Sequence, residues 1–326
     1  MPINANHVQF FKARVNDDTP ENGGLISTDL IADGVKNNIF PDASKNERLN
    51  GSTKYRKVFL GIRNPDNTAA IDVKLFVLRP TQAEDAVLMV ETDYNNTQDR
   101  IDSLTRRWGS GSLVTDAVVG STSVTVLPEQ SLYEVYQVGD TVAITTRNES
   151  NPTAIIDYYI INAVLVDGAN RVITLNRGLD NAMPAGAVVS SCVFSNTLSA
   201  GFYPYNVQGV FDATKVVLNN AGTVDEDWGI MFTSPTTFNL ARNASGATVI
   251  AGGNISTDFS YINPTNNQPY FTLPASLFNS TYAAGNYFNF GTSSASLPIF
   301  LERIIPAGTD YAAGNSVLLA VELESA

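Results

Sequence analysis

The sequence holds one cysteine, Cys192, and one histidine, His7, in 326 residues. A single cysteine excludes an internal disulfide framework and any cysteine-based zinc site. A single histidine excludes a multi-histidine metal site, and a Ser-His-Asp triad would have to recruit His7 from the start of the chain. Basic residues are also scarce. Lys and Arg number 20 against 32 Asp and Glu, a net charge of −12. Tracking a phosphate backbone needs a basic surface, so no nucleic acid is expected as a partner. No apolar run approaches about 18 residues, so no membrane insertion is expected. The opening MPINANHVQFFKARVND lacks the basic-then-apolar order of a secretion signal.

Charge itself is thin. Charged residues make up 16% of the chain, where globular domains usually carry about 25%. Together with abundant Asn, Thr, Ser and Gly, this reads as a surface partly hidden by neighbours.

Catalytic signatures are missing as well. There is no G-x-S-x-G elbow, P-loop, G-x-G-x-x-G fingerprint or H-E-x-x-H helix. The nearest acid/base candidate is Asp225-Glu226-Asp227, just before Trp228. Glycoside hydrolysis needs two such carboxylates facing one bond, but a solvated turn explains the trio better. The same residues, or Asp17-Asp18, could offer oxygen ligands to Ca²⁺, but no EF-hand spacing supports this. The basic pairs in Tyr55–Lys57 and at Arg106-Arg107 read as capping or pairing groups. The chain is therefore expected not to be an enzyme, with no catalytic, cofactor-binding or metal-binding residues and no cofactor.

What is present is β texture. YRKVFLGIRN, IDVKLFVLRP and AVLMVETD are rich in β-branched and aromatic residues and are bounded by turn formers. From 112 to 195 the strands become short and regular. Alternation in SVTV and RVITL and a hairpin signal at Asp167-Gly168 predict a small β-barrel domain. Residues 196–326 are β-rich and aromatic. Tyr270, Phe271, Tyr282, Tyr287, Phe288 and Phe290 could form a platform for sugars. Alternation in NYFNFG instead sends Phe288 and Phe290 to one face, as a core requires, and Tyr287 to the other. LPIFLERI matches YRKVFLGI in length and hydrophobicity, which predicts one sandwich with the middle domain inserted. Ile101, Leu104 and Trp108, at i, i+3 and i+7, predict the one real helix over Thr97–Trp108.

The expected fold is all-β with little helix: a β-sandwich plus a small β-barrel-like domain. Its parts are an extended N-terminal arm over 1–53, a first part of the sandwich over 54–111, the barrel over 112–195 and a C-terminal sandwich portion over 196–326. The arm reading rests on NDDTPENGG, where Pro20 and Gly23-Gly24 interrupt regular structure. Phe10-Phe11, Leu25-Ile26 and Ile39-Phe40 are apolar pairs spaced along the arm and are the expected assembly-interface residues. On this reading, removing residues 1–42 would leave a folded chain unable to assemble.

Two ends of the sequence carry a resemblance. The first combines Gly23-Gly24, a D-G-x-x-N-N-x-F-P-D motif (Asp33, Gly34, Asn37, Asn38, Phe40, Pro41, Asp42) and a first strand with Arg56-Lys57. The second combines DWGIMFTSPTTF, NPTNNQPYFTLPA and PIFLERIIPAG. Together they resemble a family of virion structural proteins from tailed bacteriophages and prophages. Here Glu21-Asn22 precede only two glycines, a shorter run than the family pattern. The resemblance implies a particle component assembled in the host cytoplasm, with copies of itself and other virion proteins as partners. Tail or neck (tail tip, baseplate or collar) is the first expectation. The alternatives are a capsid decoration protein and a receptor-binding module that holds a host surface glycan.

Overall fold

A computed structural model of the protein describes all residues except 1, 148–150, 152, 209–210, 243–248 and 280. It is all-β, with twenty-two strands among the described residues and one α-helical element, α1 (Lys45–Asn50). No helix in this region is long and apolar enough to cross a membrane. The chain opens with β1 (Val8–Val15) and β2 (Gly23–Leu30), then α1, β3 (Ser52–Ile62), β4 (Ala70–Arg79), β5 (Ala86–Val90) and β6 (Arg107–Trp108). Next come β7 (Ser110–Leu113), β8 (Ser123–Pro128), β9 (Thr141–Thr145), β10 (Ile156–Asp167), β11 (Asn170–Leu175), β12 (Val188–Ser191) and β13 (Val193–Leu198). An aromatic stretch follows with β14 (Gly201–Tyr205), β15 (Glu226–Phe232), β16 (Thr237–Arg242), β17 (Val249–Asn254), β18 (Phe259–Asn263), β19 (Gln268–Leu273) and β20 (Tyr287–Ser293). The chain closes with β21 (Ser296–Ile305) and β22 (Leu318–Ser325).

The two chain ends build one sandwich. Its larger sheet has the order β2-β1-β3-β21-β5-β6, and a smaller sheet, β13-β4-β22, lies against it. YRKVFLGI and LPIFLERI share this sandwich and are direct neighbours in it: β3 and β21 run antiparallel through ten residue pairs, from Ser296↔Gly61 to Ile305↔Ser52. Val58, Val87, Met89, Ile299 and Leu301 of the larger sheet meet Leu75, Val77 and Val193 of the smaller one.

β7 to β12 close into a barrel in the order β10-β11-β8-β7-β12-β9. Alternate residues fill it, including Val124 and Val126, Val142 and Ile144, Tyr159 and Ile161. The Asp167-Gly168 signal is the β10–β11 hairpin, where Asp167 faces Asn170 and Gly168 takes φ +59°.

The C-terminal portion expected over 196–326 divides. Residues 201–293 form a sheet of their own, β14-β20-β15-β16-β17, with the β18–β19 hairpin packed on it. Its core centres on Trp228, which is fully buried and donates from Nε1 to Thr292 Oγ1 at 2.8 Å. Only β21 and β22 return to the first sandwich. Buried amides join the two units: Asn220 Nδ2 donates to Asn64 Oδ1 at 2.8 Å, and Asn220 Oδ1 accepts from the Ala200 amide at 2.8 Å.

The first fifty residues are not the irregular arm that their turn formers suggest. NDDTPENGG is the loop of a hairpin, closed where Asp17 Oδ1 accepts from the Thr19 amide at 2.9 Å. β1 then lies between β2 and β3, paired from Val8↔Ile62 to Lys12↔Val58. Removing 1–42 would take two strands from a six-stranded sheet, so a folded remainder is no longer the expectation. Gly23 has φ +119°, and a Cβ there would sit 2.8 Å from Asn96 O and 2.9 Å from the Phe300 ring. The neighbouring Lys57 is fully buried and donates to the carbonyls of Asp93, Tyr94 and Asn96 at 2.7, 2.9 and 2.9 Å. Burial pushes its amine down to about 7, while three carbonyls match the three donors of an ammonium.

The helix expected over Thr97–Trp108 is also absent. A 3-10 turn covers only Gln98–Arg100, and Leu104 is 90% exposed. Asp102 Oδ1 accepts from the amides of Leu104 and Thr105 at 2.8 and 2.9 Å, which favours a turn over a helix. That turn delivers Arg107 to the larger sheet. Arg107 Nε meets Glu302 Oε2 at 2.7 Å, and Tyr55 Oη donates to Glu302 Oε1 at 2.7 Å. Arg107 also donates to the carbonyls of Asp102 and Thr105 and lies 3.8 Å from the centre of the Tyr133 ring. Burial beside this carboxylate pushes the Tyr55 phenol up.

Glu302 is 0% exposed and Arg107 3%. Removing one partner of such a pair strands the other charge, at a cost of about 3–5 kcal/mol. Glu302→Ala is expected to lose that much stability in urea unfolding, and Glu302→Leu combined with Arg107→Met to recover most of it. A loss below about 1 kcal/mol, the range of surface pairs, would contradict the role given to this pair.

Candidate functional site

The larger sheet of the sandwich has six strands and the smaller has three. The smaller sheet cannot cover the larger one, and a groove of about 1140 Å³ remains between them. Val58 and Leu301 line it from the larger sheet, Leu319 and Val321 from β22, and Ile156 and Tyr158 from the barrel. Charged side chains share its walls, among them Arg79, Asp85, Arg147, Arg303 and Glu322.

One flank is a strap, residues 31–42, which carries the D-G-x-x-N-N-x-F-P-D motif. Its residue types explain its shape. Gly34 and Asn37 take left-handed backbone, φ +70° and +59°. Asp33 Oδ1 accepts from the Gly34 amide at 2.9 Å, and Asn38 Nδ2 donates to Ala32 O at 2.7 Å. Lys36 pairs with Asp42 at 2.9 Å. The strap is thus bonded mainly to itself. It is held to the sandwich by the Ile31 amide donating to Phe10 O at 2.8 Å and by Arg303 Nη1 donating to Pro41 O at 3.0 Å. Ile39 and Phe40 turn inward, half-buried against the sandwich core.

The loop before β22 also lines the groove, linked to the strap through Arg303. Asn315 Nδ2 donates to Asp85 Oδ1 at 2.6 Å, and Asp85 Oδ2 meets Arg303 Nε at 2.6 Å. Beyond it, Tyr158 Oη of the barrel donates to Glu322 Oε2 of β22 at 2.6 Å. Burial, reinforced by that carboxylate, pushes the Tyr158 phenol up.

The six residues expected at an assembly interface separate into two groups. Phe10, Ile39 and Phe40 line the groove. Phe11 and Ile26 pack instead with Ala13 and Phe59 on the other face of the larger sheet. Leu25 is half-buried in β2. All six touch or flank the chain's own sandwich. The groove's other apolar wall, Leu319 and Val321, was not singled out from the sequence, although the alternation in LLAVELES marks a strand with one apolar face.

The remaining candidates find ordinary partners. Ser294 Oγ donates to Asp225 Oδ2 at 2.6 Å, and burial pushes the Asp225 carboxyl up. Glu226 faces Arg242 at 3.9 Å, and Asp227 Oδ1 accepts from Tyr205 Oη at 3.1 Å. Asp18 pairs with Arg56 at 2.6 Å. His7 Nδ1 accepts from the Asn4 amide at 3.3 Å in the first turn. Among the described residues, no group of three or more His, Cys, Asp or Glu is placed to hold a metal ion. Tyr270, Phe271, Tyr282, Phe288 and Phe290 are buried in the aromatic core, and only Tyr287 is exposed, at 41%. No family model matches the chain, and no curated protein or solved structure matches it.

The strap's hold on the groove can be measured. Phe40→Ala removes a half-buried ring and is expected to cost about 1–2 kcal/mol. Amides of residues 31–42 should then exchange faster while barrel amides keep their rates. Unchanged exchange across the strap would mean that Phe40 does not anchor it.

Proposed function

We propose that this chain is a structural component of a tailed-phage virion. It acts in the tail or neck as a homo-oligomer, and its partners are copies of itself and other virion proteins. The observation that carries this reading is the half-covered sandwich. The rest of the fold is well filled, with a closed barrel core and an aromatic core around Trp228. Yet the groove leaves Phe10, Ile39, Phe40, Leu319 and Val321 only partly covered. Open apolar surface on an otherwise filled fold marks a contact made with something else. The low charge content agrees, since the centres of protein interfaces are depleted of charged residues. The motif residues agree too. The 33–42 motif walls that groove, while Gly23 and Lys57 pack against Asn96 and Phe300 on the other face of the larger sheet. The resemblance to tailed-phage structural proteins gives the particle as the setting.

A host surface glycan is a weaker reading. Sugar platforms need exposed aromatic faces, and the 270–290 aromatics spend theirs on the core.

Purified particles test the proposal. Mass spectrometry should find the chain in them, and gold-labelled antibody against it should mark the tail or neck. Label spread over the head would replace that position by capsid decoration. Absence from purified particles would overturn the structural reading.

A further inference from the structure

The core claims Tyr270, Phe271, Tyr282, Phe288 and Phe290, but the sheet of the aromatic unit has a second face. In β20 and β15, Phe288, Phe290, Trp228 and Ile230 point to the core, so the residues alternating with them point away from it. Tyr287 of β20 is one of these. On β14, Tyr203 pairs with Gly291 and Tyr205 with Asn289, which puts both tyrosines on the same outer face. Tyr203 is 59% exposed and Tyr287 41%.

This face is shaped by its neighbours. Tyr203 lies along its own strand, where Ser293 Oγ donates to Tyr203 Oη at 3.3 Å. A Cβ at Gly201 would sit 2.6 Å from that Oγ and 2.7 Å from Tyr203 Cζ, so only glycine leaves room for the ring. Next to Tyr203, Gly291 raises no side chain. Asp227 Oδ1 stands 3.4 Å from where a Cβ on Gly291 would be, and it accepts from Tyr205 Oη at 3.1 Å. Asp227 is exposed, and its Oδ2 has no hydrogen-bond partner among the described residues. Asn289 is only 7% exposed, yet its side chain makes no hydrogen bond to a described residue either. Buried amides are normally satisfied, so Asn289 calls for a partner that the chain itself does not supply.

A pyranose ring offers such a face two kinds of contact. Its C–H side is apolar and weakly positive and stacks on the negative face of an aromatic ring, while its rim of hydroxyls bonds to carboxylates and amides. Asp227 is the one charged side chain on the outer side of β14, β20 and β15. An anionic ligand therefore meets repulsion and no compensating cation. Gly291, the partner of Tyr203, and Tyr287 are four residues apart in β20, about 13 Å of strand, which suits an oligosaccharide rather than one sugar. We infer that this face binds a neutral oligosaccharide, with Tyr203 and Tyr287 under its rings and Asp227 and Asn289 on its hydroxyls. None of these residues lines the groove. The site adds to the structural role and rests on neither the groove nor the assembly reading.

An array of neutral and anionic glycans, probed with the biotinylated whole chain, tests this. Neutral glycans should be retained. For the best of them, titration calorimetry should show affinity falling about tenfold in Tyr203→Ala, the upper range for one aromatic contact. Asp227→Ala should lose at least as much, and Tyr203→Phe, which keeps the ring, should stay close to the native affinity. Thermal melts like that of the native chain establish that each variant is folded. Retention of no glycan, or of anionic glycans alone, overturns the inference. So does binding that Tyr203→Ala leaves unchanged. If no glycan binds but Tyr203→Ala weakens self-association in sedimentation, the face is a protein contact and the inference falls.

Discussion

The ladder between β3 and β21 is the constraint on which the rest of the structure depends. It brings residues 52–62 against 296–305 in ten pairs, so the barrel and the aromatic unit between them in sequence are insertions into one sandwich. The closure is costly in chain entropy. It is repaid by burial of Val58, Leu60, Ile299 and Leu301 and by the charge network on the ladder. Glu302 collects Arg107 and Tyr55 there, and Arg107 reaches on to Tyr133 of the inserted barrel. One buried carboxylate thus links β3, β21 and the turn before β6, with Arg107 reaching on to the barrel.

The inserted units are self-contained by comparison. The barrel closes on itself and has no free edge in its six-strand ring. The aromatic unit stacks Phe232 on Tyr282 at 4.1 Å and surrounds Trp228 with Tyr261, Tyr270, Phe271 and Phe290. The sandwich is the part left incomplete. Three strands oppose six, and the strap 31–42 covers the gap only in part. The imbalance places a groove with half-covered apolar side chains, the outer side of β22 and the 33–42 motif in one region. The assembly role proposed above rests on that convergence.

Where periodicity was strong, the fold was legible. The barrel emerged from short alternating strands, the core role of Phe288 and Phe290 from their spacing, and the shared sandwich of β3 and β21 from matched length and hydrophobicity. The misreadings have identifiable causes. NDDTPENGG is rich in breakers, and its density hid two flanking strands, because a hairpin loop and a structureless arm share the same residues. Ile101, Leu104 and Trp108 have helical spacing, but the Asp102 side chain captures the local amides and frees Arg107 for a buried partner far away in sequence. The groove was half legible. Phe10, Ile39 and Phe40 stood out as apolar pairs, whereas Leu319 and Val321 looked like any core strand. That β22 has no outer strand partner among the described residues is a property of topology, which no local pattern encodes.

Native-state hydrogen exchange tests the closure account most directly. β1, β3, β21 and β5 form one hydrogen-bonded unit built from both chain ends, so their slowest amides should open together with a single free energy. β1 amides that exchange far faster than those of β3, as a detachable arm would, would contradict it.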